Sequence, residues 1–305
     1  MYRTLLVPLD GSAFAEHALP LALGLARRAG AALKLVSVHV PLISLAADSI
    51  APGTCEAEAR MLAQERAYLD GIVSQLAALG TVPVTSALLE GAAVAELLAG
   101  QAATTNADLV VMTTHGRGPL SRLWLGSVAD EMVRRATTPV LLVRPHEKDV
   151  DFAAEPQVRH ILVPLDGSAL AEQVLASASL LGGLTQAEFT LLRVYGPTID
   201  VDPLGYAAQE GVEGADEQLR VRAQDYLQRV AERFSGQGCK VQTQAVAGQH
   251  PATAILDAAQ NLAVSLIALE THGRRGLPRL LLGSVADKVI RGATVPVLVH
   301  RSPTK

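Results

Sequence analysis

Two short stretches of the chain carry residue types suited to binding an anion. Residues 113–118 read Thr-Thr-His-Gly-Arg-Gly, and residues 125–130 read Leu-Gly-Ser-Val-Ala-Asp. The pattern returns at 271–276 and 282–287, each time after an apolar run. It predicts a buried strand, a glycine-bearing loop and a helix that begins at a serine, a favoured N-cap residue. The spare N–H groups and the dipole of such a helix suit phosphate, although loops also use glycine simply to turn.

A second repeated stretch places an acidic residue at the end of a predicted strand. The sequence Leu-Val-Pro-Leu-Asp-Gly-Ser-Ala occurs twice, so that Asp10 recurs as Asp166, 156 residues later, and Gly126 recurs as Gly283, 157 residues later. Such close spacing indicates a tandem duplication. The polar, proline-bounded run from 144 to 157 reads as a linker. We therefore expect a first domain over 1–144, a linker over 145–157 and a second domain over 158–305.

Apolar strand patterns alternate with helical patterns in both halves. In the first half we predict strands near 3–9, 33–40, 82–89, 108–113 and 139–144, with helices near 12–29, 55–79, 92–104 and from Ser127. Pro20 should bend or interrupt the first helix. Alternation of this kind predicts an α/β fold of two tandem, doubly wound, Rossmann-like domains, each a five-stranded parallel sheet with helices on both faces. Asp10 and Gly116 follow strand ends, and ligands bind at that edge of such sheets.

Composition excludes several classes of protein. The 305 residues are 49% hydrophobic and carry a net charge of −4, so no basic field attracts nucleic acid or membranes. Aromatic residues are only 3%, which disfavours stacking platforms for single strands. Cys55 and Cys239 lie at unmatched positions and indicate neither a disulfide framework nor a zinc site. The chain opens on a strand pattern without a signal peptide, and we expect a cytoplasmic protein.

With these motifs in place, the sequence resembles the universal stress protein family in its tandem, two-domain form. ATP-binding members of that family carry Gly, two residues, Gly, nine residues, then Gly followed by Ser or Thr. Gly116, Gly126 and Ser127 match this pattern, as do their counterparts in the second half. The first glycine is replaced by Thr113 in one copy and by Glu270 in the other. A glutamate should repel a polyphosphate unless a metal or an arginine intervenes, so the second site is the more doubtful one.

The resemblance implies an adenine-nucleotide site in each half. Its residues are expected to be Pro8, Asp10, Gly11, Ser12, Val40, Thr113, His115, Gly116, Arg117, Gly126, Ser127 and Val128 in the first half, and Pro164, Asp166, Gly167, Ser168, Val194, His272, Gly273, Arg274, Gly283, Ser284 and Val285 in the second. Other interpretations stay open. Asp10 and Asp166 also fit Asx-turns, the valines fit core packing, and loop arginines are often simply solvated. His115 and His272 have no second histidine or cysteine at metal-ligand spacing, so we predict no metal site.

Three functions compete for this pattern. The first is a stress-response protein that binds ATP, or ADP or AMP, in a regulatory role, with Mg²⁺ or Mn²⁺ as the candidate companion ions. Hydrolysis should be slow at most, because the chain has no Gly-Lys-Ser/Thr phosphate loop and Asp10 is the single candidate base. The second is a nucleotide-free scaffold that dimerises, as in family members without the motif. The third, an ATP-pyrophosphatase, is disfavoured because Asp10-Gly11-Ser12 stands where those enzymes carry a longer serine–glycine loop.

The last strand of each half raises the question of partners. Residues 140–143 and 297–299 are rich in valine, and exposed edge strands of this kind stay blunted or pair with another chain. In the resembled family this strand commonly mediates dimers. We expect the two halves to pair with each other within one chain, and a larger homodimer is a further possibility.

Overall fold

The computed structural model describes residues 1–42, 54–80, 82–115, 125–146, 149–196, 215–235, 239–271 and 282–301. The elements of the first half are β1 (Thr4–Pro8), α1 (Ala13–Glu16), α2 (Leu19–Ala29), β2 (Ala32–His39), α3 (Thr54–Ala78), β3 (Val84–Glu90), α4 (Val94–Thr104), β4 (Leu109–Thr113), α5 (Ser127–Arg135) and β5 (Val140–Val143). Strands and helices alternate in the predicted order. The predicted boundaries differ from these by a few residues at most.

The second half repeats this order. It contains β6 (His160–Pro164), a 3₁₀ turn (Ala171–Gln173), α6 (Val174–Thr185), β7 (Glu188–Tyr195), α7 (Ala215–Ser235), β8 (Val241–Ala247), α8 (Pro251–Asn261), β9 (Leu266–Glu270), α9 (Ser284–Gly292) and β10 (Val297–His300). The correspondence extends to the helix ends. Ala31 N–H donates to Ala26 O at the end of α2, and Ala187 N–H donates to Gly182 O at the end of α6.

Pro20 interrupts the first helix as predicted. The helix stops at Glu16, and α2 begins at Leu19 with Pro20 in its first turn. A proline is tolerated there because the N–H groups of the first turn have no partner within the helix. The break separates α1, the short helix that follows the Asp10 loop, from α2, the longer helix that packs on the strands.

The ten strands among the described residues form one sheet, in the order β3-β2-β1-β4-β5-β10-β9-β6-β7-β8. The five strands of each half are parallel, as the alternation predicted. The two halves meet at β5 and β10, which run antiparallel with Leu141 opposite Leu298. The strands at the centre are buried on both faces, which is why they read as continuous apolar runs.

Two hydrophobic layers cover the sheet, one on each face. One layer packs α1, α2 and α3 together with α6 and α7 of the second half. The other packs α4 and α5 together with α8 and α9. Each layer runs across both halves without a break, with Leu141 and Leu298 among the members of the first. This doubly covered sheet confirms the predicted doubly wound class. Among the described helices, none is both long and apolar enough to cross a bilayer.

Candidate functional site

The loops after β1 and β4 share one edge of the sheet because these strands are parallel neighbours, with Leu5 opposite Leu109. The equivalent strands β6 and β9 are neighbours in the same way, with Ile161 opposite Leu266. The carboxyl ends of adjacent parallel strands, where the chain order reverses, form the ligand crevice of doubly wound sheets. In both halves the two predicted site loops therefore follow neighbouring strands at the edge of the sheet where ligands bind.

Asp10 organises the loop after β1. Its Oδ1 accepts a hydrogen bond from Ser12 N–H at 3.0 Å and another from Ser12 Oγ at 2.6 Å. Ser12 Oγ in turn accepts from Ala15 N–H at 3.2 Å and so caps α1. Gly11 has φ 80°, a left-handed conformation in which a side chain is disfavoured. The Asx-turn considered for Asp10 is thus present.

The second half builds the same turn from the same residue types. Asp166 Oδ1 accepts from Ser168 N–H at 2.9 Å and from Ser168 Oγ at 2.6 Å. Ser168 Oγ accepts from Ala171 N–H at 3.1 Å, and Gly167 has φ 87°. The two loops therefore have one local architecture, fixed by four consecutive residue types. Pro8 and Pro164 end the strands that lead into them.

The motif helices begin at the predicted serines, but the structure corrects their N-cap residues. The N-cap of α5 is Gly126 rather than Ser127, which is the first helical residue and exposed. Gly126 is held in extended conformation because its N–H donates to Thr114 O at 2.8 Å. The second half is alike: Gly283 caps α9, and Ser284 follows it. A glycine brings no capping side chain to the first-turn N–H groups, an arrangement that suits an external anion.

Gly126 also lies too close to the preceding loop for a larger residue. A Cβ added there would be 3.1 Å from Thr114 O and 3.7 Å from His115 Cα. Since both neighbours are backbone atoms, they cannot rotate away as a side chain would. Gly126 therefore allows the start of α5 to lie close to the segment that follows β4.

Thr113 and His115 are buried beside this glycine. Thr113, which replaces the motif's first glycine, donates its hydroxyl to His115 O at 2.7 Å. The Nδ1 atom of His115 lies 3.0 Å from Thr114 Oγ1, whereas its buried Nε2 atom contacts no hydrogen-bond partner within the described chain. Burial is the main cause that lowers the pKa of His115, and the nearby positive charges of Arg144 and Arg291 lower it further. The ring is therefore favoured in its neutral form.

Glu270, the corresponding residue of the second half, is held by hydrogen bonds from its neighbours. Its carboxylate is buried and accepts from Thr271 N–H at 3.1 Å, from Thr271 Oγ1 at 3.3 Å and from His300 Nδ1 at 2.7 Å. His300 lies directly opposite Glu270 on β10. A histidine of the neighbouring strand therefore contacts the carboxyl group for which repulsion of a polyphosphate was expected.

The two valines of the predicted adenine pocket are not equivalent positions. Pro8 lies opposite Val36 on β2, and Pro164 lies opposite Leu192 on β7, so the counterpart of Val194 is Val38. Val40 lies two residues after Val38 and just beyond the end of β2. Val38 and Val194 both pack against the same hydrophobic layer. Aligning the strands by sequence alone missed this register, which only the pairing shows.

The remaining predicted residues divide into two groups. Val128 and Val285 occupy the same place in the first turn of their helices, with Val128 partly buried and Val285 exposed. Gly116, Arg117, His272, Gly273 and Arg274 lie outside the described residues.

A histidine at the end of β2 escaped the sequence reasoning. His39 is 1% exposed, and its Nδ1 and Nε2 atoms each lie 2.8 Å from a carboxylate, those of Glu65 and Glu58 on α3. Glu58 also accepts from Leu42 N–H at 3.1 Å. Hydrogen bonds to the two carboxylates raise the pKa of His39, while the hydrogen bond from His39 lowers the pKa of Glu58. The sequence signal for this contact was the seven-residue spacing of the two glutamates, which places both on one face of the helix. The equivalent of His39 in the second half is Tyr195.

Charged residues join the two motif helices across the junction between the halves. Asp130 in α5 pairs with Arg134 at 2.8 Å, and Asp287 in α9 pairs with Arg291 at 2.9 Å. Arg291 also reaches within 3.9 Å of Asp130, and Arg144 donates to Arg291 O at 2.7 Å. The first turn of α5 is therefore connected to the last turn of α9.

Together, the doubly wound sheet, the Asx-turn at one strand end and the glycine-capped helix at the next define a tandem α/β protein whose halves carry the same loop arrangement. The model of the universal stress protein family matches residues 1–144 and 157–301. The chain belongs to the universal stress protein family.

Individual relatives agree with this assignment. A universal stress protein of Mycobacterium tuberculosis is 31% identical over 202 residues, covering 65% of this chain and 63% of the relative. One from Methanocaldococcus jannaschii is 34% identical over 148 residues, covering 48% of this chain and 84% of the relative. The crystal structure of a universal stress protein from Archaeoglobus fulgidus has a TM-score of 0.67 at 19% identity and covers 98% of this chain and 96% of its own. The chain thus spans about 63% of the length of the mycobacterial relative.

Proposed function

We propose that the chain is a cytoplasmic stress-response protein that binds ATP, or the related ADP or AMP, in a regulatory role. The observation that carries the proposal is the glycine-capped N-terminus of α5 beside the Asp10 loop, at the carboxyl ends of neighbouring strands. A helix start without a capping side chain favours a phosphate group. Mg²⁺ or Mn²⁺ is proposed as a companion of the polyphosphate.

Binding rather than hydrolysis is the proposed activity. Asp10 is the candidate base for activating water, but its Oδ1 already accepts two hydrogen bonds from Ser12. These hydrogen bonds engage the carboxylate in holding the loop rather than in orienting a water molecule. Turnover, if measured, should be slow, and nucleotide occupancy rather than cleavage would bias the conformation or the choice of protein partner.

The first half is proposed as the principal site. Thr113 turns its hydroxyl inward to His115 O and adds no charge to the crevice. Glu270 adds a buried acidic side chain, which lies 2.7 Å from His300 Nδ1. A polyphosphate at the second site would meet this acidic group, so its affinity there should be lower.

The two halves, residues 1–144 and 158–305, are proposed to act as a pair joined by the 145–157 linker. The antiparallel β5–β10 ladder and the contact between Arg291 and Asp130 support intramolecular pairing, and a larger homodimer would add to it. Small-angle scattering should give one compact particle. Two separated lobes without a shared interface would refute the pairing.

A nucleotide-free scaffold that dimerises is the second candidate function. The observation that favours it is the loss of the motif's first glycine in both halves, as Thr113 and Glu270. Equal melting curves with and without excess ATP and magnesium would support it, because a ligand that binds the folded state raises its apparent stability.

The nucleotide content of the purified protein tests the two functions. The protein is denatured, the precipitate removed and the supernatant run on an ion-exchange column. We expect close to one adenine nucleotide per chain, held by the helix start at Gly126. Gly126→Asp should empty the protein, because the carboxylate would occupy and repel the phosphate position. Gly283→Asp should leave the content nearly unchanged.

Gly100→Asp is the matched control for the added charge. Gly100 is exposed on α4, and nothing lies within 4 Å of a Cβ placed there. This variant should retain its nucleotide. A wild-type protein that is empty and also ignores added ATP in the melting assay would overturn nucleotide binding and leave the scaffold.

A further inference from the structure

Two histidines meet at the edge of the first half, far apart in sequence. His17 follows α1 and is buried, whereas His146 follows β5 and is exposed. His17 Nε2 and His146 Nδ1 are 3.2 Å apart, and the rings pack edge to face with centroids 4.3 Å apart. The contact ties the chain leaving β5 to the chain between α1 and α2.

Hydrogen bonding fixes the tautomer of the buried ring. His17 Nδ1 lies 3.0 Å from Ala13 O, and a carbonyl can only accept, so Nδ1 carries the hydrogen. In the neutral ring the lone pair is therefore on Nε2, the atom that faces His146. A metal-binding histidine characteristically donates its other N–H to a backbone carbonyl in this way, which orients the ring and strengthens the ligand.

The spacing of the two nitrogens matches a shared metal ion. Two imidazole ligands, each about 2.0–2.1 Å from a tetrahedral zinc, hold their nitrogens about 3.3 Å apart. His146 is exposed, so its ring is free to take the tautomer that turns a second lone pair towards the same point. A metal ion would then replace the proton between the rings.

We infer that His17 and His146 form a binding site for a divalent transition metal ion of the zinc, nickel or copper type. Imidazole nitrogen prefers these ions to Mg²⁺ and Ca²⁺, which take oxygen ligands. The described residues contain no group of three metal-binding side chains, so water completes the coordination. The site is independent of the nucleotide proposal.

Calorimetric titration of tag-free, EDTA-treated and dialysed full-length protein with ZnCl₂ or NiCl₂ tests the inference. We expect micromolar binding of one ion by the wild type and no displacement by excess MgCl₂. His146→Asn should weaken zinc binding at least ~10-fold, since loss of even a supporting partner costs about that much. His17→Asn should do the same.

His250→Asn is the matched control, because it removes another exposed histidine and leaves the pair intact. Zinc should raise the melting temperature of the wild type and of this control, and not that of His146→Asn. Because His146 is exposed, its replacement leaves the core untouched, and circular dichroism checks the fold. Equal zinc affinity in wild type and His146→Asn, or no zinc and nickel binding by the wild type, would overturn the site.

Discussion

Gly182 leaves space for the bulky side chain of Phe189 on the sheet. The first half has a different pair of residues at the equivalent positions. Gly182 lies inside α6 and faces Phe189 on β7. The equivalent positions in the first half are Ala26 and Leu33, matched by the helix-end hydrogen bonds and by the strand register. One half therefore pairs a glycine with a phenylalanine, and the other pairs an alanine with a leucine. We predict that Gly182→Ala is destabilising unless the phenylalanine is also made smaller.

The size of the effect follows from the contact distances. A Cβ on Gly182 would lie 2.3 Å from Phe189 Cζ, 2.8 Å from its Cε2 and 3.3 Å from Ile161 Cδ1. Phe189 is completely buried and packs edge to face on Phe234, with centroids 4.9 Å apart, so its ring has little room to retreat. Overpacking of this kind costs ~1–3 kcal/mol. The short distances from the added Cβ to the ring place this cost in the upper part of that range, ~2–3 kcal/mol. Better helix propensity returns about 1 kcal/mol, so we expect a net loss of ~1–2 kcal/mol.

A double-mutant cycle in urea measures this coupling. The free energy of unfolding is determined for wild type, Gly182→Ala, Phe189→Leu and the double variant. Phe189→Leu alone should also be destabilising, because it leaves a cavity. The double variant reproduces the packing of the first half, so it should be at least ~1 kcal/mol more stable than additivity predicts. Additive losses, or a Gly182→Ala protein as stable as the wild type, would refute the reasoning.

Two further predictions concern charged groups. Because its carboxylate neighbours raise the pKa of His39, the stability it contributes is complete below about pH 6.5 and is lost as the pH rises through the higher folded-state value. The urea midpoint of the wild type should therefore fall between pH 6 and 9 more than that of Glu58→Gln/Glu65→Gln, and parallel profiles would contradict this. Asp108 Oδ2 accepts from Arg3 N–H at 2.6 Å and Thr4 N–H at 3.0 Å. Asp108→Ala should cost ~1–2 kcal/mol in the same assay, whereas Asp108→Asn, which keeps an acceptor, should cost less; equal losses would rule out this role.

Much of the fold could be predicted because its signals are local. Apolar runs, helical spacing and the position of Pro20 specify the elements, and each depends on residues close together in the chain. The repeat revealed two equivalent halves. Asp10, Gly11 and Ser12 form a turn whose hydrogen bonds all lie within a few residues, so sequence alone indicated its geometry.

The prediction failed where distant residues decide the geometry. Ser127 was expected to cap α5, but the hydrogen bond from Gly126 to Thr114 O across the loop moves the cap by one residue. Val40 and Val194 were taken as equivalent, but the strand register makes Val38 the counterpart of Val194. In both cases a contact between separate segments overrides a preference read from neighbours.

The sequence by itself determined that this is a duplicated, doubly wound α/β protein with a strand, a glycine-bearing loop and a helix as a repeated motif in each half. Tertiary structure decided which distant groups meet. It placed His300 against Glu270, His39 between two glutamates and His17 against His146. It also joined β5 to β10 in one continuous sheet. Periodicity and spacing record the chain's local preferences, whereas these contacts exist only after parallel strands and their covering helices bring remote side chains to the same edge.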